Sequence, residues 1–252
     1  TLINHSKSVV KTTLKGSVSN GSELISFELP VVLQANEIKE ILLDKNNTPK
    51  LRLTNPKLWW PAGYGKQNLY SLSLKAEASK GQNASASTTF GIRKMETYIG
   101  AREREFKING RKIYLRGGNW VIDMMLNWNA SRYEQEILLT RNANLNILRV
   151  WGPTGVAPKA LYEAADKYGI LLWQDFLNDF WGTFKNTPGY QPEISLFEKA
   201  SIGIVKKYRN HPSLIIWCGG NEGPNPREDL LVNSILAKYD ARGNRQYLTQ
   251  SD

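Results

Sequence analysis

Tyr168-Gly169-Ile170-Leu171-Leu172-Trp173-Gln174-Asp175-Phe176 is the stretch on which the reading of this 252-residue chain turns. A helix that runs to Tyr168 has its natural stop in Gly169, since glycine takes the left-handed C-terminal position at no steric cost. The apolar run that follows is continuous rather than alternating, the pattern of a strand covered on both faces in a parallel sheet. It then breaks into Gln174 and Asp175, polar groups at a strand's carboxyl end. The same grammar repeats outward. Asn146-Ile147-Leu148-Arg149-Val150-Trp151 precedes it as a strand, with Ile113-Tyr114-Leu115-Arg116 before that, and Leu214-Ile215-Ile216-Trp217 and Gln246-Tyr247-Leu248-Thr249 come after.

Between these strands the sequence predicts helices. One starts at Ser131, whose spacing to Glu134 is a capping box, and runs to about Asn144. Others cover 158–168 and 193–209, and a fourth opens at Asn225-Pro226 and ends near Asp240. Strand-to-strand repeats of roughly 30 to 45 residues are βα units. A closed (β/α)8 TIM barrel takes ~250 residues and this part of the chain offers about 150, so an incomplete barrel, about its first half, is expected over 100–252.

Residues 1–99 follow another rule. Val10, Thr12 and Leu14 alternate with polar neighbours, and short extended segments recur at 24–33, 38–43, 51–53, 69–78 and 84–92. Asn20-Gly21, Asn46-Asn47, Asn55-Pro56 and Lys80-Gly81 punctuate them as turns. Several short strands in about a hundred residues, with no helix, predict an immunoglobulin-like β-sandwich. The expected fold class is therefore multidomain, a β domain followed by α/β.

Composition closes off other classes. With 41% hydrophobic and 22% charged residues the chain has material for a core and is not disordered. No apolar run reaches about 18 residues, so no membrane span is expected. One cysteine, Cys218, excludes a disulfide framework, and with only two histidines, His5 and His211, no metal site or cofactor is expected. The formal charge of +10 raises nucleic acid as a partner. The cations are spread along the chain among acids, with no run of five like charges, which argues against it. Thr1-Leu2-Ile3-Asn4-His5 is neither a signal peptide nor an initiator sequence, so the chain reads as an excised piece whose location the sequence leaves open.

Function is expected where parallel strands end. Those ends read Asn119-Trp120, then Arg149 and Trp151, then Gln174-Asp175-Phe176, then Asn221-Glu222. Aromatic faces for the C–H side of a sugar ring, beside forked polar groups for its hydroxyls, describe a sugar pocket. Core-filling tryptophans and helix-capping carboxylates are the plainer reading of any one of them. Glu222 stands out, because Glu228 already serves the first turn of the following helix and the preceding Gly219-Gly220 permits close backbone approach. Asp175 either orients a substrate hydroxyl or caps the loop before Asp179. Arg149 needs a carboxylate partner on structural or functional grounds alike. Trp59-Trp60 packs in the sandwich or at the domain junction or, as an exposed pair, touches a glycan, and Asn83-Ala84-Ser85 matches a glycosylation acceptor pattern that chance often supplies.

Leu115-Arg116-Gly117-Gly118-Asn119-Trp120, Asn146 with Arg149-Val150-Trp151-Gly152, Tyr168 through Phe176, and His211-Pro212-Ser213 through Gly219-Gly220-Asn221-Glu222 resemble glycoside hydrolase family 2. The similarity is strongest to its branch of β-mannosidases, endo-β-mannosidases and exo-β-glucosaminidases. Asn55-Pro56-Lys57-Leu58-Trp59-Trp60-Pro61 with Gly63-Tyr64-Gly65 is similar to the end of that family's sandwich, and Phe90-Gly91-Ile92-Arg93 to its junction with the barrel. The resemblance implies a retaining glycosidase with Glu222 as general acid/base and Asn221 bonded to the hydroxyl beside the anomeric carbon. It implies a pocket around Asn119, Trp120, Arg149, Trp151 and Asp175, with Trp151 and Trp217 desolvating Glu222 so that it keeps its proton. It also implies a nucleophile on a later barrel strand, so that this stretch alone is expected to be inactive. The partners implied are a glycan substrate, the remaining barrel strands and an N-terminal sugar-binding domain. A non-catalytic carbohydrate-binding or scaffold module of the same ancestry is the alternative.

Overall fold

The computed structural model describes the chain except for residues 22, 79–82, 101–103, 153–154, 178–193, 222–225, 242 and 252. It separates into two compact units, one of Thr1–Lys57 with Asn68–Phe90 and one of Leu58–Gln67 with Gly91–Asp252. The architecture is mixed, with antiparallel β structure first and a helix-covered parallel sheet after it.

In the first unit, β1 (Leu2–Ile3) pairs with β4 (Ile38–Lys39). The main sheet has the order β3-β2-β5-β6, from β2 (Val10–Asn20), β3 (Glu23–Leu33), β5 (Tyr70–Ala78) and β6 (Asn83–Phe90). Period-two alternation drives Thr12, Leu14 and Val18 of β2 inward, where Leu14 packs with Val31, Leu33 and Ala76. Gly16 is required opposite Phe27. A Cβ there would lie 2.1 Å from the ring, so the ring covers the glycine's backbone. The extended segment expected at 51–53 is absent: Pro49–Leu51 forms a 3-10 turn, as proline at its start favours.

The second unit opens with an antiparallel sheet of β7 (Met95–Ile99), β8 (Arg104–Ile108) and β9 (Arg111–Ile113). The parallel sheet follows, in the order β10 (Gly117–Trp120), β11 (Ile147–Val150), β12 (Leu171–Asp175), β13 (Leu214–Asn221), β14 (Gln246–Ser251). The expected strand at 113–116 is thus corrected. Ile113 closes the antiparallel sheet and the parallel strand begins at Gly117. Gly117 suits that place, because a Cβ would stand 1.8 Å from the Ile147 carbonyl oxygen.

The helices are α1 (Ala130–Asn142), α2 (Lys159–Tyr168), α3 (Ile194–Tyr208) and α4 (Pro226–Tyr239). α1 is capped by Asn129, whose side chain accepts from the Ser131 and Arg132 amides, and not by Ser131. Glu134, the expected reciprocal cap, instead bonds Lys167 and the Tyr168 hydroxyl on α2. Asn and Ser cap about equally well, and Asn129 serves because it is the extended residue directly before the first helical one. Gly169 ends α2 in the left-handed conformation, φ 79°. One face of the sheet packs Leu148, Val150, Leu172, Leu214 and Trp217 against Ile137, Leu161, Tyr162, Val205 and Val232 of the helices. The core of this unit lies there. A register shift between Leu172 and Trp173 lets Ile215 bulge, so that Leu214 and Trp217 both face the helices.

The amino ends of the strands are closed by chain from upstream. Trp59 is fully buried, its indole donating to the Asp166 carbonyl at 2.8 Å, and Ala62 N–H donates to Gly169 O at 2.8 Å. Arg93 donates to the Pro212 and Leu214 carbonyls at 2.6 and 2.7 Å, and burial lowers its pKa to about 9. Among the described residues no helix is long and apolar enough to cross a membrane.

Candidate functional site

The carboxyl ends of β11, β12 and β13 bring together Arg149, Trp151, Trp173, Asp175 and Asn221. Asn119, Arg149 and Trp173 are in register on adjacent strands, and Asp175, two residues beyond Trp173, shares that face. Asp175 is buried, at 1% exposure, and its carboxylate is the hub. Arg149 Nε donates to both oxygens at 3.2 and 3.1 Å and Nη2 to Oδ2 at 2.6 Å. Trp173 Nε1 donates to Oδ1 at 2.8 Å and the Gly152 amide to Oδ2 at 3.2 Å. These donors fill the four lone-pair directions a carboxylate offers. A charge so enclosed is stable only because it is paired and fully hydrogen-bonded.

From that hub the network reaches β13. Arg149 Nη2 also donates to Asn221 Oδ1 at 2.9 Å, and Trp151 Nε1 donates to the same oxygen at 2.9 Å. The guanidinium carbon of Arg149 lies 5.5 Å from the Trp173 ring centre, within cation–π range. Cys218 shares the sheet face with Asp175, and burial, then the Asp175 charge, pushes its thiol up to about 12, so it carries no thiolate chemistry at neutral pH. Among the described residues no group of three or more His, Cys, Asp or Glu is arranged to hold a metal.

Of the residues expected at the pocket, Arg149, Trp151, Asp175 and Asn221 converge. Asn119 is exposed on the neighbouring strand. Trp120 points to the other face: it is buried against Tyr133 of α1 and donates from Nε1 to Glu136 at 2.7 Å. Gln174 likewise bonds Tyr162 within the helix layer, and Phe176 stacks on Trp217 there, ring centres 5.4 Å apart. Trp217, expected near Glu222, donates to Asp240 at 2.7 Å. Glu222 and Asp179 lie outside the described residues.

The sequence model for glycosyl hydrolases family 2 matches residues 2–93. The mannosylglycoprotein endo-β-mannosidase of Lilium longiflorum is 35% identical over 196 residues, 75% of this chain and 20% of that protein. The exo-β-D-glucosaminidase of Streptomyces avermitilis is 31% identical over 228 residues, 87% of this chain and 24% of that protein. The crystal structure of the Amycolatopsis orientalis exo-chitosanase superposes with a TM-score of 0.78 at 25% identity, over 99% of this chain and 29% of that one. The chain is thus similar to glycosyl hydrolase family 2 in residues 2–93 and to these relatives over most of its length. It spans about a fifth to a quarter of the length of these curated relatives.

Two members of this cluster, Trp173 and Gly152, are not singled out by the sequence. Trp173 reads there as strand, and its spacing of two from Asp175 puts both on one face. Gly152 brings its amide to Asp175 because it lacks a side chain: a Cβ there would lie 2.3 Å from Phe176 O and 2.8 Å from Asp175 Cβ. The signal available was the glycine directly after the Arg149-Val150-Trp151 strand end.

Proposed function

We propose that the chain carries the acid/base part of the active site of a retaining glycoside hydrolase acting on β-linked mannosides or glucosaminides. In this reading residues 1–99 are an immunoglobulin-like sandwich and residues 100–252 the first part of a (β/α)8 barrel. The observation that carries it is the Arg149–Asp175–Asn221–Trp151 network, set at the carboxyl ends of three adjacent parallel strands and leading directly into Glu222.

Glu222 is the general acid/base. It protonates the leaving oxygen in the first step and takes a proton from water in the second. The double displacement also needs a nucleophilic carboxylate about 5–5.5 Å from the first. Asp175 does not supply it, because both of its oxygens are committed to Arg149, Trp173 and Gly152. Residues 1–252 alone are therefore expected to turn over no substrate. Asn221 and Trp151 meet the sugar, with Asn119 at the rim. The glycan is the partner, and later barrel strands and a sugar-binding domain complete the enzyme.

The test is hydrolysis of aryl β-mannosides and aryl β-glucosaminides by the full-length protein. Glu222→Gln should lower kcat/KM by about 10² or more while leaving ligand affinity within a few-fold. Unchanged turnover in that variant refutes the assignment. Binding without turnover in the unsubstituted protein favours a carbohydrate-binding module of the same ancestry.

A further inference from the structure

We infer that β6 (Asn83–Phe90) is a self-association edge, on which a second copy of this chain pairs its own β6 antiparallel about a two-fold axis.

Of the two outer strands of the sheet β3-β2-β5-β6, one is guarded against other chains and the other is not. β3 carries Glu23 and Glu28, and its Pro30 has no N–H to offer. The Val32 carbonyl of β3 is already taken by the Lys39 ammonium at 2.9 Å. Charges, proline and covered backbone groups are the means by which outer strands are kept from pairing with a neighbour. β6 carries neither charge nor proline: it reads Asn83-Ala84-Ser85-Ala86-Ser87-Thr88-Thr89-Phe90. Its register with β5 runs from Asn83 opposite Glu77 to Phe90 opposite Tyr70, without a bulge to twist it away. Asn83 through Thr88 are all exposed, and among the described residues β5 is the only strand bonded to β6.

The side chains decide the occupant. Ser85 and Ser87 lie on the outer face, opposite Lys75 and Ser73 of β5. Ala84 and Ala86 lie on the face toward the core, opposite Ala76 and Leu74. A two-fold axis perpendicular to the sheet near Ser85–Ser87 keeps each face continuous and sets serine against serine and alanine against alanine. Small hydroxyl pairs bond across such a seam, and no like charges meet in it. Elsewhere two copies repel, because each carries a net charge of +10. The approach of least cost is through a segment without charge, and β6 of a second copy is such a segment. An acidic or basic peptide gains nothing from a strand that has no charge to pair. One strand pair buries less than the roughly 1,200 Å² of a stable interface, so the dimer forms and parts readily with concentration.

The experiment is sedimentation velocity of the full-length protein from about 1 to about 200 µM, with hydrogen exchange at both extremes. A concentration-dependent dimer is expected, with protection of the amides of 83–88 rising with concentration while those of β3 stay constant. Ser85→Lys with Ser87→Lys sets like charges opposite each other in every two-fold register centred on residues 85–87 and should weaken association at least tenfold. Ser85→Glu with Ser87→Glu should do the same, and an equimolar mixture of the two variants should restore the dimer. Both positions are exposed, and an unchanged unfolding midpoint in urea verifies that the variants are folded. Ser26→Lys, exposed on β3, should leave association as it was. A protein that stays monomeric throughout the range overturns the inference. So does a dimer indifferent to the lysine pair, or a mixture of lysine and glutamate variants that fails to reassemble. Protection of 83–88 that is independent of concentration, in a monomer, assigns the edge to another part of the same chain and overturns it as well.

Discussion

At the amino ends of β12 and β13, Asp166 and His211 form a buried hydrogen-bonded pair at 2.6 Å. At the carboxyl ends of the same layer, Arg149 and Asp175 form another at 2.6 Å. The first is finished on every side by protein. Asp166 Oδ1 accepts from the Ser213 amide at 3.0 Å, its backbone carbonyl from Trp59, and the His211 ring lies 5.1 Å from that of Tyr162. Its partners come from the turn before β13, from α2 and from an upstream segment, so it acts as a fastener. The second is finished only toward the protein. Its anion is saturated, and among the described residues its far end, Asn221, has only its Oδ1 engaged. A buried carboxylate and the same distance thus accompany different surroundings, a closed set of partners at one end and a network that runs on to Asn221 at the other.

The comparison is broken most directly by deleting one anion at a time. Asp175→Ala leaves Arg149 buried without its partner and frees Trp173 and Gly152 donors, so a loss of about 3–5 kcal/mol in unfolding free energy is expected, together with loss of measurable affinity for whichever glycoside the full-length protein binds. Urea unfolding and calorimetry read the two effects separately. Retained affinity in a folded Asp175→Ala protein would show that the carboxyl-end network is only another fastener.

Asp166→Ala is the counterpart at the other end. It strands His211 and the Ser213 amide and should cost about 2–4 kcal/mol, with ligand affinity in the folded fraction unchanged within twofold. If affinity falls in proportion to stability, the two ends are coupled through the strands and their division of labour fails.

The parallel sheet and its helices were legible because continuous apolar runs, a Gly169 stop and Pro226 each carry a local physical cause. What was not legible was facing. In a strand buried on both sides, Trp173 and Trp217 look alike, and no period-two contrast tells which meets the helices. The bulge at Ile215 then resets the alternation of β13 by one residue, a displacement that leaves no mark in composition. Hence Trp120, Gln174 and Trp217 lie in the helix layer while Trp151, Trp173 and Asp175 share the opposite side. The capping of α1 was misread for a similar reason. Asn129 and Ser131 are both competent caps, and only the geometry of the entering chain decides between them.

The smallest of the expected effects sharpens the view of the amino end as fastening. Gly169 has φ 79°, where a residue with a Cβ is strained, and a Cβ there would stand 2.6 Å from the Ala62 amide nitrogen that donates to the Gly169 carbonyl. Gly169→Ala therefore incurs the left-handed penalty of about 1–2 kcal/mol and pushes residues 58–67 away from the end of α2. The unfolding midpoint in urea should fall accordingly, and hydrogen exchange should quicken at the Ala62 amide before it does at the amides of β12. Ligand affinity should not move, since Arg149, Asp175 and Asn221 sit at the opposite ends of the strands. Faster exchange in β12 itself would mean that the upstream segment supports the sheet as a whole, making the amino-end closure a condition for the carboxyl-end network rather than a separate device.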